Sequence, residues 1–253
     1  MSKLDLNALT IHYTQTGEGR DVVLLHGWGQ NRVMMAPIQE HFSNRFRVTN
    51  IDFPGFGDSA LPAEPWGVKE YTEFLRHLCV QLEITEPILI AHSFGARVAI
   101  MYASMYPTHK LILTGAAGLR PKRGIAYYSR IYTYKTLKRV VKLRPFVHYE
   151  ESLKKHFGSS DYKSVAGVMR SSFVKIVNED LRPLLPLIKI PVLLIWGDKD
   201  EATPLWMGKI MEKEFPDAGL VLFEGDDHFA YWHQIDRFNH IVDAFLKEDE
   251  VHS

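Results

Sequence analysis

A chain of 253 residues with 46% hydrophobic content can bury a large core, as one α/β domain or as a core carrying an insertion. Thirty basic and thirty acidic residues cancel, which argues against a nucleic-acid partner. The lone Cys79 cannot make an internal disulfide, and Met-Ser-Lys-Leu-Asp-Leu-Asn is no apolar leader. No apolar run approaches the ~18 residues of a membrane span, so a cytoplasmic protein is expected.

Residues 2–15 read as two short strands, with Leu4, Leu6 and Leu9 spaced by polar residues and Ile11 and Tyr13 alternating after them. Gly17-Glu18-Gly19 marks the turn. Val22 to Leu25 is a continuous apolar run, the pattern of a strand covered on both faces, and it runs into His26-Gly27-Trp28-Gly29. Met34 to Phe42 reads as a helix and Phe46 to Ile51 as the next strand. The loop Asp52-Phe53-Pro54-Gly55-Phe56-Gly57-Asp58-Ser59 follows. Tyr71 to Leu82 has helical period, with Phe74, Leu75, Leu78 and Leu82 on one face.

Pro87 to Met101 carries the strongest signal. Ile88-Leu89-Ile90 is a buried-strand run, Ala96 to Met101 is helix-forming, and Ala91-His92-Ser93-Phe94-Gly95 lies between them. A serine at such a corner needs small residues two before and two after it to relieve a strained backbone. The corner exposes the hydroxyl and aims free N–H groups of the helix start at whatever it attacks, which is the nucleophile-elbow pattern. Ala91 stands where the consensus has glycine.

Leu111-Ile112-Leu113 is a further strand, closed by Gly115-Ala116-Ala117-Gly118, and three βα units in succession predict a parallel sheet with helices on both faces. From Arg120 to about Leu187 no strand is expected. The alternation resumes at Pro191 to Trp196, followed by Gly197-Asp198-Lys199-Asp200. A helix over Leu205 to Phe215, a strand over Leu220 to Phe223, the segment Glu224 to His228 and a helix over Tyr231 to Leu246 complete the chain. The last helix turns Ile235, Phe238, Ile241, Val242 and Phe245 inward.

The crevice of an open parallel sheet lies at the carboxyl ends of its strands. His26-Gly27-Trp28, Asp52, Ser93, Asp200 and His228 all fall just past such ends, in the chain order Ser…Asp…His. On four segments, His26 to Gly29, Asp52 to Ser59, Trp196 to Asp200 and Asp227 to Phe229, the chain resembles α/β-hydrolase-fold serine hydrolases, of the branch with capped esterases, haloperoxidase-like enzymes and carbon–carbon hydrolases. The resemblance implies a mostly parallel central sheet flanked by helices, with residues 1–118 and 188–253 as the core and 119–187 as an inserted helical cap. It implies Ser93 as nucleophile, His228 as base and Asp200 as the acid, with Asp198 the alternative. The backbone N–H groups of Trp28 and Phe94 would form the oxyanion hole. Asp52 and Asp58 are expected to fix the Gly/Pro loop, His26 and His92 to be supporting hydrogen-bonders, and His233 and His240 to be solvated or capping residues.

No Cys/His cluster has metal-ligand spacing and the chemistry requires no cofactor, so none is expected. A serine at the elbow disfavours epoxide opening and halide displacement, for which relatives use aspartate. The expected activity is a serine esterase, cleaving carboxylic ester or related acyl bonds in a small-molecule substrate. Carbon–carbon cleavage of a β-diketone-like substrate, or a small-ligand receptor with little turnover, are the alternatives. Ile125, Tyr128, Ile131, Tyr134, Leu137 and Val141 recur at helical spacing in the cap. Between Gly118 and Arg182 fifteen basic residues face five acidic ones, an excess that could steer an anionic substrate. A solvated basic cap face is favoured over both that steering and contact with a membrane surface, and the oligomeric state is left open.

Overall fold

The computed structural model describes residues 2–6, 9–120 and 166–249. Eight strands form one sheet in the order β1-β2-β4-β3-β5-β6-β7-β8. They are β1 (Ser2–Leu6), β2 (Leu9–Thr16), β3 (Asp21–Leu25), β4 (Arg47–Ile51), β5 (Ile88–His92), β6 (Lys110–Thr114), β7 (Val192–Gly197) and β8 (Ala218–Phe223). β1, β2 and β4 pair antiparallel, and from β4 to β8 every pairing is parallel.

The four central strands are buried along nearly their whole length because helices cover both faces, and their side chains alternate between two cores. Val23, Leu25, Leu89, Leu111, Leu113, Leu194 and Trp196 face one core with residues of α2 (Val68–Gln81), α3 (Phe94–Met105) and α5 (Trp206–Glu214). Val22, Leu24, Ile88, Ile90, Ile112, Leu193 and Ile195 face the other. That second core is closed by Ile38 and Phe42 of α1 (Ala36–Phe42), by Tyr231 of the short α6 (Ala230–His233) and by Phe238, Val242 and Leu246 of α7 (Ile235–Leu246). Each such buried side chain is worth about 1.5–3 kcal/mol.

Two helices depart from the periodicity. α2 starts at Val68, a turn earlier than expected, because the Glu70 carboxylate accepts the Gly67 N–H at 2.6 Å and satisfies a donor at the helix start. The expected helix over Tyr231 to Leu246 is two helices broken at Gln234, whose φ is −120° and ψ is 53°. Asp226 causes the break: it accepts His233 Nδ1 at 2.6 Å and Gln234 Nε2 at 2.7 Å, drawing that turn toward the loop after β8. The helix α4 (Gly167–Asn178) and a 3-10 turn over Arg182–Leu187 are the described parts of the expected cap. The apolar repeat from Ile125 to Val141 lies outside the described residues, as does most of the basic run.

Two carboxylates tie the C-terminal helix region to the core. Asp243 accepts Arg45 Nη2 at 2.5 Å and His41 Nε2 at 3.0 Å, and Asp249 accepts Lys110 Nζ and His109 Nε2, each at 2.5 Å. Burial pushes both carboxyls up, but these hydrogen bonds outweigh it and hold them below the ordinary range. A folded carboxyl held low adds stability that is complete above the unfolded pKa of about 3.9 and is lost as pH falls through the folded value. Melting temperature is therefore expected to be flat above about pH 5 and to fall in acid. Asp249→Asn should lower the neutral-pH Tm by about 2–4 °C and flatten the acid limb; calorimetry across pH 3–8 checks both.

Candidate active site

Past the ends of β3, β4, β5, β6, β7 and β8, six loops converge. The elbow after β5 is sharp: Ser93 has φ 51° and ψ −107°, a region costly for a residue with a Cβ. A Cβ on Gly95 would run into the carbonyl of Leu25 on the neighbouring strand, so no larger residue fits there. Ala91 is fully buried between Leu25 and Leu113, and the strand accommodates its methyl without distortion of the pairing. The Ser93 N–H bonds the Thr114 carbonyl at 3.1 Å, and the Ser93 carbonyl accepts from Ala96 and Ala117, each at 3.2 Å. Main chain on both sides thus over-determines the strained residue.

Ser93 Oγ lies 2.9 Å from His228 Nε2, and His228 Nδ1 lies 2.7 Å from Asp200 Oδ2. Asp200 is 4% exposed and is oriented by Thr203, whose N–H reaches Oδ1 at 2.8 Å and whose Oγ1 lies 2.7 Å from Oδ2. Asp198 lies elsewhere: its Oδ1 accepts the Gly225 N–H at 2.7 Å and so fixes the turn after β8. Thr203 had no signal in the sequence beyond its place three residues after an acid.

Facing the elbow is the turn Gly27–Gln30, closed by Gln30 N–H to the Gly27 carbonyl at 3.2 Å, with Gly29 at φ 72° in its third position. Phe94 is the first residue of α3, so its N–H has no intrahelical acceptor. The Trp28 ring packs edge-on against Phe94 at 5.3 Å and Phe56 at 4.8 Å, and Phe173 of α4 lies 5.3 Å away. α4 is further tied down by Ser172 Oγ accepting the Trp66 N–H at 2.9 Å and by Lys175 Nζ on the Pro65 carbonyl at 2.6 Å. At its C-terminus two guanidiniums cap the last carbonyls, Arg97 on Glu179 at 2.9 Å and Arg120 on Asn178 at 2.8 Å. Burial lowers Arg97 to about 10 against the opposing pull of Glu179 and Asp180.

His26 and His92 are both fully buried. His26 Nδ1 donates to the Gly27 carbonyl at 2.7 Å, and its Nε2 accepts the Phe53 N–H at 3.0 Å, which defines a neutral ring. Burial pulls His26 down to about 4. Asp52 organises the Gly/Pro loop. It accepts the Arg32 and Asp58 N–H groups at 2.7 and 3.0 Å, and the Arg32 guanidinium bridges Asp52 and Asp58. Neither carboxylate bonds the Ser93–His228–Asp200 line among the described residues. His233 pairs with Asp226, and His240 Nδ1 bonds the Asp236 carbonyl at 2.7 Å. Asp226, Asp227 and His233 each bring one ligand atom within 4.8 Å of the others. The oxygens of Asp226 are already taken by His233, Gln234 and the Asp227 N–H, so the trio serves the helix break.

A profile described as the alpha/beta hydrolase family matches residues 22–241. The chain belongs to that family. Membership makes it an enzyme of the hydrolase class, as expected from the four segments, and the mostly parallel sheet flanked by helices agrees. The chain is 26% identical over 277 residues to a 2-hydroxy-6-oxo-6-phenylhexa-2,4-dienoate hydrolase of Comamonas testosteroni, covering 98% of this chain and 95% of the relative. It is 24% identical over 262 residues to a pimeloyl-[acyl-carrier protein] methyl ester esterase of Aeromonas hydrophila, covering 94% and 100%. Among solved structures, an esterase from Exiguobacterium antarcticum superposes with a TM-score of 0.76 at 22% identity, covering 97% of this chain and 99% of that one. No helix among the described residues is long and apolar enough to cross a membrane.

Proposed function

We propose that the enzyme hydrolyses a carboxylic ester or related acyl bond through an acyl-enzyme on Ser93. The observation that carries this reading is the unbroken line from Ser93 Oγ through His228 to Asp200, at 2.9 and 2.7 Å. His228 Nε2 takes the hydroxyl proton as Oγ attacks the carbonyl, and Asp200 holds the ring with Nδ1–H toward its carboxylate and offsets the charge it gains. The N–H groups of Phe94 and Trp28 receive the oxyanion, a contribution of about 3 kcal/mol per donor. The leaving alcohol then takes the proton from Nε2. A water deprotonated by the same nitrogen attacks the acyl-enzyme, releasing the acid and restoring Ser93. No step calls for a cofactor.

Residues 119–187 would form the cover over this site, and the seating of α4 on Trp28, Pro65 and Trp66 supports that role. Trp28, Phe56, Phe94 and Phe173 favour a substrate with an apolar part beside the oxyanion position. A carbon–carbon hydrolase of β-diketone-like substrates is the second reading, supported by the likeness to the Comamonas enzyme; the same triad would serve it.

Labelling with a fluorophosphonate, peptide mapping of the adduct and a p-nitrophenyl ester panel test the proposal together. Adduct on Ser93 with ester turnover is the expected result. Failure to label Ser93 would sink both triad chemistries, and bleaching of a diketone chromophore without ester turnover would transfer the assignment to carbon–carbon cleavage. Labelling with neither turnover would point to a ligand-binding role.

A further inference from the structure

The residue before the nucleophile holds a position that the proposed chemistry leaves unused. His92 is fully buried, with Nε2 3.0 Å from the main-chain carbonyl of His228 and Nδ1 3.2 Å from Gln30 Oε1. The same Gln30 oxygen accepts the Gly27 N–H at 3.1 Å, inside the turn that carries Trp28. A Cβ on Gly27 would stand 2.8 Å from His92 Nδ1, so the approach depends on glycine there. The His92 ring is packed by His228 at 4.7 Å, Tyr231 at 4.7 Å and Phe229 at 5.5 Å. One imidazole therefore bridges the turn bearing one oxyanion donor and the backbone of the base.

Both ring nitrogens face oxygen acceptors. An imidazolium could serve both, but burial, followed by the neighbouring His228, holds His92 well below the ordinary histidine range, and His26 adds to this. A neutral ring has one proton for two acceptors. With the proton on Nδ1, Gln30 Oε1 receives both His92 and Gly27, and the His228 carbonyl faces a lone pair. With the proton on Nε2, the His228 carbonyl is satisfied and the lone pair falls on the Gln30 side. Turning the Gln30 amide would then relieve His92 but cost Gly27 its acceptor.

We propose that His92 is a positioning residue whose single proton is shared between the Gln30 amide and the His228 carbonyl, coupling the oxyanion turn to the base. This inference rests on the triad reading for its kinetic consequence, not for its hydrogen bonding. His92 does not touch the reacting atoms. It sets where Nε2 of His228 and the N–H of Trp28 stand relative to Ser93.

The test uses substitutions that each keep one half of the bridge. His92→Gln puts an amide N–H near the place of Nε2, and His92→Asn puts one near the place of Nδ1. Each should lower kcat about tenfold, and His92→Phe, which keeps neither half, about a hundredfold. KM should stay within about twofold, because the loss falls on transition-state geometry. Gln30→Met should resemble His92→Gln in size, since both lose the Gln30 half, and add little to His92→Phe, which already breaks the same bridge. Nitrogen NMR of histidine-labelled protein at pH 7 should give His92 two ring shifts intermediate between N–H and lone-pair values. Wild-type kcat in a folded His92→Phe variant would overturn the proposal, as would an imidazolium or a single fixed tautomer at His92. If the His92→Phe variant does not fold, Gln30→Met and the nitrogen spectrum carry the test. A wild type that neither labels nor turns over would defeat the triad reading, and the spectrum would still decide the shared proton.

Discussion

Replacing Ser93 with alanine is expected to abolish fluorophosphonate labelling and to cut kcat by about 10⁴–10⁶-fold, with KM changed little. The hydroxyl is the group that would form the proposed acyl bond, and the φ of 51° at Ser93 is built into the main chain. Alanine tolerates that corner no worse than serine, so the fold and its melting temperature should stay close to wild type. His228→Ala should cost a similar factor, and the double variant should cost scarcely more than either alone, because a nucleophile and base in the proposed roles act as one unit. Additive losses in the double variant would mean that the two residues do not share a step.

Asp200→Asn should lower kcat about 10⁴-fold while leaving the ring of His228 in place. The reason is local. Thr203 N–H already donates to Oδ1 at 2.8 Å, so an asparagine would keep its oxygen there and turn its NH2 toward His228 Nδ1, which Oδ2 faces at 2.7 Å. Nδ1 would then have to accept, the proton would move to Nε2, and the base would no longer be available to Ser93. Asp198→Asn changes only a turn bond to Gly225 and should leave kcat within about threefold. Steady-state kinetics on one ester substrate distinguishes the two, and equal losses would overturn the division of roles.

Much of this was legible in the residues. The apolar runs of β3, β5, β6 and β7 are short, rich in branched side chains and closed by glycine or polar loops, so their burial and parallel pairing followed from pattern. The elbow was legible because small residues at 91 and 95 have a steric purpose that Leu25 supplies. The choice between Asp198 and Asp200 was open in sequence, since two acids two residues apart reach the same loop; their partners in space, His228 and Thr203 for Asp200 and Gly225 for Asp198, separate them. The helix break at Gln234 was hidden because the apolar period runs through it, while its cause lies eight residues upstream in Asp226. The bridge from Gln30 through His92 to His228 joins residues 62 and 136 positions apart, a distance at which local pattern carries no information.

The main-chain bond from Leu181 N–H to the Gly118 carbonyl, 2.8 Å long, has a wider consequence. It brings the main chain at Leu181 back beside Gly118, so the two ends of the intervening stretch meet at a single seam. For a chain so closed, doubling its length costs only about 0.6 kcal/mol of loop entropy. The sheet, the elbow and the loops bearing Asp200 and His228 are assembled from segments outside the seam. Exchange of that one contiguous stretch would therefore leave Ser93, Asp200 and His228 on their own loops. A chimaera joined at residues 118 and 181 would test whether selectivity travels with that stretch.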